Sequence, residues 1–326
     1  MNVIRHHRLA GSLFVFGLLF APLTALAQDD ANWSLEGAMT FERGEVTATA
    51  MDEKIYVLTG NSPGNGSNGL GQEYDPATGN WRDLALMPNV ASHAGAAATG
   101  GKIYVVGGFT ANVHVDAINR VFVYDPSADS WRAVMPLSAP RGSVGVVALN
   151  GKIHVIGGRD PEGNTVATHE IFDPSTGRWT AATPLPIARD HLGIAALNGR
   201  VHVFGGRYAS TAYPVGRHDV YDPATDSWSS AAPLLTPRSA GISFVLDGRI
   251  VYAGGECKNT TTRETYNEAE IYDPLTDSWT ALPPMLPTGK HGAAASVVGA
   301  QAFVFGGNAG CGGDRPSREV VSFQIP

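Results

Sequence analysis

The chain repeats one hydrophobic grammar. Short runs of small apolar residues recur, as in Gly95-Ala96-Ala97-Ala98 and Gly193-Ile194-Ala195-Ala196-Leu197. Several of these runs meet a two-residue turn, Asn150-Gly151, Asn198-Gly199 or Asp247-Gly248, whose residues accept the positive φ of a type I′ hairpin. A second strand follows, in which apolar and polar positions alternate toward paired glycines, over residues 102–108, 152–158 and 200–206. A variable loop then leads to a third strand closing on Tyr124-Asp125-Pro126, Phe172-Asp173-Pro174, Tyr221-Asp222-Pro223 or Tyr272-Asp273-Pro274. The Asp-Pro turn delivers the chain to a fourth strand that carries a tryptophan.

All six tryptophans fall in one register, Trp33, Trp81, Trp131, Trp179, Trp228 and Trp279. Their spacing predicts six units of roughly 50 residues with four strands each. The glycine doublet, the Tyr-Asp-Pro turn and the spaced Trp together resemble the kelch-repeat family over residues 33–326. That resemblance implies an all-β, six-bladed propeller of four antiparallel strands per blade. Small residues suit first strands crowded around a central axis, and bulky aromatics suit the wider space between blades, so the tryptophans read as core. The chain opens on a fourth-strand Trp33 and ends on a third-strand pattern over residues 320–325. The N-terminal strand is therefore predicted to complete the last blade and remove its free edge. Blade one departs from the pattern with Thr59-Gly60, and blade six with Phe323-Gln324-Ile325 in place of Tyr-Asp-Pro.

Residues 1–27 have the pattern of a signal peptide: a basic start with Arg5 and Arg8, an apolar middle, and Ala25-Leu26-Ala27 before polar Gln28. The apolar part is short for a permanent span, so the expectation is a propeller over 28–326 that is periplasmic or secreted, with no membrane insertion after cleavage. The formal net charge of −7 argues against nonspecific nucleic-acid binding, which rests on neutralising phosphates. Cys257 and Cys311 each follow a glycine doublet in neighbouring blades, so an inter-blade disulfide is expected in an oxidising compartment. Free thiols too far apart to bridge are the other reading.

The connections from fourth to first strands share a face with the variable loops between second and third strands. Eleven positions before each second strand stand Arg43, Ala91, Arg141, Arg189, Arg238 and Lys290. Five cations at one equivalent position would make the channel mouth attractive to an anion, with His93, His191 and His291 close by. The same cations have a structural reading, paired with loop acids such as Asp190 or Glu256. In kelch adaptor proteins that hold acidic peptides, residues of this type at this mouth do the holding, and the resemblance implies the location without the ligand. Phe109, Tyr208, Tyr213 and Tyr266 on the loops would stack on a ligand or anchor their loops. His154 and His202 occupy positions that hold Tyr56 and Tyr104 in sister repeats, which makes them packing residues. No HExxH, paired CxxC or Walker-type loop occurs, so no metal or cofactor is signalled.

These readings lead to an exported binding or interaction module whose partner is an anionic small molecule, a glycan or an acidic peptide segment. The alternative is a sugar-acid mutarotase, similar to six-bladed kelch proteins that interconvert sialic acid anomers. Arg141, Arg189 and Arg238 would then hold the carboxylate, and Glu256 or His191 would supply acid–base catalysis. A galactose-oxidase-like copper site, with seven blades and a Cys–Tyr crosslink, finds no match.

Overall fold

The computed structural model describes Met1 and residues 32–63, 66–111, 114–285 and 288–325. Apart from Met1, the predicted leader lies outside the described residues. The rest forms six four-stranded antiparallel sheets. Blade one is built of Thr47–Met51, Lys54–Leu58, Gly71–Asp75 and Asn80–Asp83. Blades two to five repeat that order within residues 95–134, 145–181, 193–231 and 242–282. Blade six combines Ala294–Val298, Gln301–Phe305 and Glu319–Gln324 with the N-terminal strand Asn32–Ala38. Trp33 sits opposite Phe323 in that last ladder, so chain start and chain end close the ring and the last blade keeps no free third-strand edge. No helix among the described residues is long and apolar enough to cross a membrane.

The first strands crowd the axis. A Cβ on Gly95 would stand 2.2 Å from Val146 of the next blade, and one on Gly145 2.5 Å from Leu192. Glycine at these positions is a requirement of close approach. Farther out, apolar clusters fill the wedges between blades, as where Val106 and Val121 of blade two meet Ile153, Val155 and Phe172 of blade three.

Each wedge is also stitched by polar bonds. The tryptophans serve as both packing and donor: Trp131 Nε1 donates to Ala85 O at 2.8 Å, Trp179 to Met135 O at 2.8 Å and Trp228 to Thr183 O at 2.9 Å, each across a blade boundary. A repeated aspartate works beside them. Asp226 accepts the Tyr221 hydroxyl at 2.7 Å and the Thr183 amide of the preceding blade at 2.9 Å. Nearer the axis the second glycine of each doublet donates its amide to the next blade, as Gly108 to Arg141 O and Gly158 to Arg189 O, both at 3.0 Å. The first glycine has φ +63 at Gly107, where a Cβ would lie 2.4 Å from that same Arg141 carbonyl. Left-handed backbone and close approach together call for the doublet.

His154 and His202 are buried. Each pairs with a histidine of the neighbouring third strand, His154 Nδ1 with His169 Nε2 at 3.0 Å and His202 Nδ1 with His218 Nε2 at 2.9 Å.

Candidate functional site at the channel mouth

The five cations predicted to ring the mouth face into the blades instead. Arg43, Arg189, Arg238 and Lys290 are fully buried and Arg141 nearly so. Arg141 pairs with Glu170 at 2.7 Å, Arg189 with Asp219 at 2.5 Å and Lys290 with Glu319 at 2.6 Å, while Arg238 pairs with Glu270. Arg43 donates to Gln72 Oε1 at 3.0 Å and to the carbonyls of Thr59 and Leu70 at 3.3 Å. The arginines also satisfy carbonyls at the end of the second strand or the start of the third, as Arg189 does with Gly205 O and Arg217 O, both at 3.0 Å. Burial lowers the Arg43 and Arg189 pKa values to about 10, which leaves both charged at neutral pH. The ligand-facing ring of Arg43, Arg141, Arg189, Arg238 and Lys290 is thereby corrected: their charges are spent inside the blades.

Two positions farther along, the chain does reach the axis. Glu45, His93, Ser143, His191, Ala240 and Gly292 all have φ between +51 and +57. Their backbones form a circle of blade-to-blade hydrogen bonds. His93 N donates to Glu45 O, Ser143 N to His93 O, His191 N to Ser143 O, Ala240 N to His191 O and Gly292 N to Ala240 O. Val46 N returns to Gly292 O at 3.2 Å and closes the circle. Five residues with a Cβ hold the left-handed conformation because this circle fixes it. Their side chains line the head of a cavity of about 260 Å³ along the axis.

A second layer comes from the residue after each glycine doublet. Bridges pair Gly142 with Arg159, Asp190 with Arg207 and His291 with Asn308, which joins the two loop sets on one face as their strand directions require. Arg207 is the hub. Its Nε donates to Asp190 Oδ1 at 2.8 Å and its Nη1 to Glu256 Oε2 at 2.5 Å, and its Nη2 stands 3.4 Å from His191 Nε2 and 3.5 Å from His114 Nε2. Glu256, one of the two acid–base candidates, is thus an ion-pair partner that also accepts from Gly312 N at 3.3 Å. His191, the other, has Nδ1 2.6 Å from Asp190 Oδ1 and Nε2 3.3 Å from Ser143 Oγ. Such a line of groups can move a proton from a bound hydroxyl. On the other side of the mouth, Glu45 lies 3.2 Å from His93 Nε2 and 3.3 Å from His291 Nδ1.

Electrostatics divides these imidazoles. Burial lowers His93, and burial with Arg207 and the neighbouring rings drives His191 well down. His114 falls to about 3 through burial and then His93. For His291 burial is outweighed by Glu45, and its pKa rises. Glu45 is buried too, yet His93 and His291 hold its carboxyl well below the usual range.

Sequence reasoning placed His93, His191 and His291 at this mouth, and it missed Glu45, His114, Ser143, Arg159 and Arg207. For all of these but His114 the missing signal was positional: residue plus two after the cation, and the residue after each glycine doublet. Among the loop aromatics, Phe109 is fully buried and Tyr266 partly so, while Tyr208 and Tyr213 are exposed. Cys257 and Cys311 form a disulfide with Cα atoms 4.9 Å apart, joining the extended hairpin of blade five that carries Glu256 (strand Arg249–Asn259) to the last blade.

Comparisons with known proteins bear on the fold. The family model described as the KLHDC2/KLHL20/DRC7 Kelch-repeats domain matches residues 93–307. The kelch-like protein terF of Aspergillus terreus (strain NIH 2624 / FGSC A1156) is 36% identical over 84 residues, covering 24% of this chain and 18% of that protein. Alpha-scruin of Limulus polyphemus is 31% identical over 80 residues, covering 24% of this chain and 9% of that protein. The matched parts span less than a fifth of each curated relative. The solved structure of YjhT superposes with a TM-score of 0.74 at 16% identity, over 87% of this chain and 95% of that one, a likeness of fold.

Proposed function

The chain belongs to the kelch-repeat family, whose propellers generally serve as protein-interaction modules, and we propose that it is an exported module binding an acidic protein segment at the loop face around the channel mouth. The observation that carries this reading is a mixed basic and aromatic patch over blades three and four. Arg159 donates to Ala209 O at 3.0 Å, holding the loop on which Tyr208 and Tyr213 are 56% and 63% exposed. Exposed tyrosines beside arginine are the composition that interface centres favour. Arg159 keeps a fifth of its side chain open to solvent, 3.7 Å from Asp190, so an incoming carboxylate finds a held guanidinium. Export is supported by the leader pattern at 1–27 and by the Cys257–Cys311 disulfide.

The test is fluorescence anisotropy with labelled peptides of equal length and acidic, neutral or basic composition. Acidic peptides should bind preferentially, and Arg159→Glu or Tyr213→Ala should weaken them at least tenfold. Equal binding of all three compositions, or indifference to both substitutions, would sink the reading.

One observation favours the second reading, a mutarotase acting on a sugar acid. The Asp190–His191–Ser143 line opens onto the axial cavity. Anomeric exchange followed by NMR, faster with the protein and lost in His191→Ala, would support it. No acceleration by the wild type would end it.

A further inference from the structure

We infer that His93, His114 and His191 form a binding site for a divalent transition-metal ion of the zinc class at the channel mouth. This site adjoins the peptide surface over blades three and four and shares Asp190 with it, but the two are tested on different residues.

The three imidazoles come from three different connections. His93 leads into blade two, His191 into blade four, and His114 hangs from the loop between the second and third strands of blade two. One ring nitrogen of each lies within 4.8 Å of the others. The rings stand at steep angles to one another, with interplanar angles of 60°, 79° and 88° and centroids 4.8 to 5.3 Å apart. Those angles exclude face-to-face stacking of the three rings.

His114 Nε2 and His191 Nε2 are 3.3 Å apart. Two imidazole nitrogens bound tetrahedrally to zinc at about 2.0–2.1 Å are separated by roughly 3.3–3.4 Å. The pair already has that spacing.

His191 is also set up as a ligand by its neighbour. Asp190 Oδ1, 2.6 Å from Nδ1, accepts the hydrogen bond of Nδ1–H and leaves the Nε2 lone pair facing the cluster, the carboxylate–histidine arrangement common behind metals. Glu45 stands 3.2 Å from His93 Nε2 and Ser92 Oγ 3.1 Å from His93 Nδ1, so an ion would displace one of these two partners to gain His93 as a ligand. The fourth coordination position would face the axial cavity, open to water or a ligand group.

One group opposes the cation. Arg207 Nη2 donates toward both Nε2 atoms, at 3.4 and 3.5 Å, and its charge repels an ion seated between them. The other two arms of Arg207 are held by Asp190 and Glu256, so it stays while the ion enters. A metal bound here is weaker than the three imidazoles alone would make it. That gives the inference a directional signature which scattered surface histidines lack.

The experiment uses the untagged chain, with Zn2+ titrated by isothermal calorimetry and Co2+ by visible absorption. The expected result is one ion per chain with the d–d bands of four-coordinate Co2+. Binding should be at least tenfold weaker in His114→Ala and in His191→Ala, and at least tenfold tighter in Arg207→Met. Circular dichroism melts check that each variant is folded; His114 is on a surface loop, so its substitution serves as the safe arm. Absence of stoichiometric binding to the wild type overturns the inference, as does binding that His114→Ala leaves unchanged. Peptide binding is read separately, on Arg159 and Tyr213, so either idea can fail without the other.

Discussion

The buried cations are the point at which sequence and structure divide most sharply, and they can be tested by copying one blade into another. In blade three, Arg141 Nη2 holds Glu170 Oε2 at 2.7 Å, Arg141 Nη1 donates to Thr168 O at 3.1 Å, and Glu170 Oε1 accepts Ser138 N at 3.1 Å. Blade two has no such unit. At the equivalent positions stand Ala91, Phe122 and Pro88: no cation, no acid, and no amide hydrogen needing an acceptor. Ala91 and Phe122 share one apolar cluster with Leu84 and Met87. The chain therefore contains both solutions to the same packing problem. Arg141→Ala alone leaves Glu170 charged, buried and short of its main partner, a loss of about 3–5 kcal/mol. The triple change Ser138→Pro, Arg141→Ala, Glu170→Phe reproduces blade two and should return to within about 2 kcal/mol of the parent, the remainder being strain from a new ring in a packed wedge. Guanidinium denaturation followed by tryptophan fluorescence measures both. A loss below about 1 kcal/mol in the single variant would show that Arg141 is not the buried anchor described. A triple variant no better than the single would refute the equivalence of the two blades.

Two further outcomes follow from the same physics. His154, His169 and His202 have pKa values lowered to about 4 and His218 to about 3, first of all by burial. As pH falls below about 6.5 the unfolded chain takes up protons that the folded one refuses, so stability drops from there toward pH 4 and flattens below the folded values, at up to about 1.4 kcal/mol per pH unit for each histidine. Denaturation midpoints measured across that window should fall less steeply in His154→Tyr, which restores the residue of the sister repeats; an unchanged slope would contradict the assignment. Thr59 holds φ +60 where other blades have glycine, with a buried hydroxyl that lacks a partner. Relief of the left-handed strain, of order 1–2 kcal/mol, outweighs the extra freedom glycine gives the unfolded chain. Thr59→Gly should raise the melting midpoint, and a lowered one would show that the hydroxyl or the methyl packs usefully.

The architecture was legible because propeller blades are built by local rules that repeat. Trp33 in register with a missing last strand was enough to foresee the composite blade, since only one strand type was left without a partner. The mouth was not legible in the same way. Equivalent position revealed that Arg43, Arg141, Arg189, Arg238 and Lys290 do one job, yet residue type could not say which way they point. An arginine ring facing a channel and an arginine ring anchoring blades have identical spacing. The deciding signal lay in the partner: Glu170, Asp219 and Glu270 each stand two residues before the third-strand aromatic, and blade two loses cation and acid together. His114 could not be foreseen, because its loop belongs to no repeat.

Six-fold repetition and function pull the sequence in opposite directions at the axis. The circle of backbone bonds from Glu45 to Gly292 is nearly symmetric and asks only for a left-handed residue in each blade. Glycine would satisfy it everywhere at less conformational strain, yet only blade six uses it. The other five place Glu, His, Ser, His and Ala there, and the layer above adds Arg159, Arg207 and Glu256 in three successive blades. Unlike side chains at equivalent left-handed positions are more than the backbone circle itself requires. The disulfide of Cys257 and Cys311 is consistent with that view. It ties the hairpin bearing Glu256 to the blade at the chain closure, so the acid that positions Arg207 is held from both sides while the face beyond it stays open.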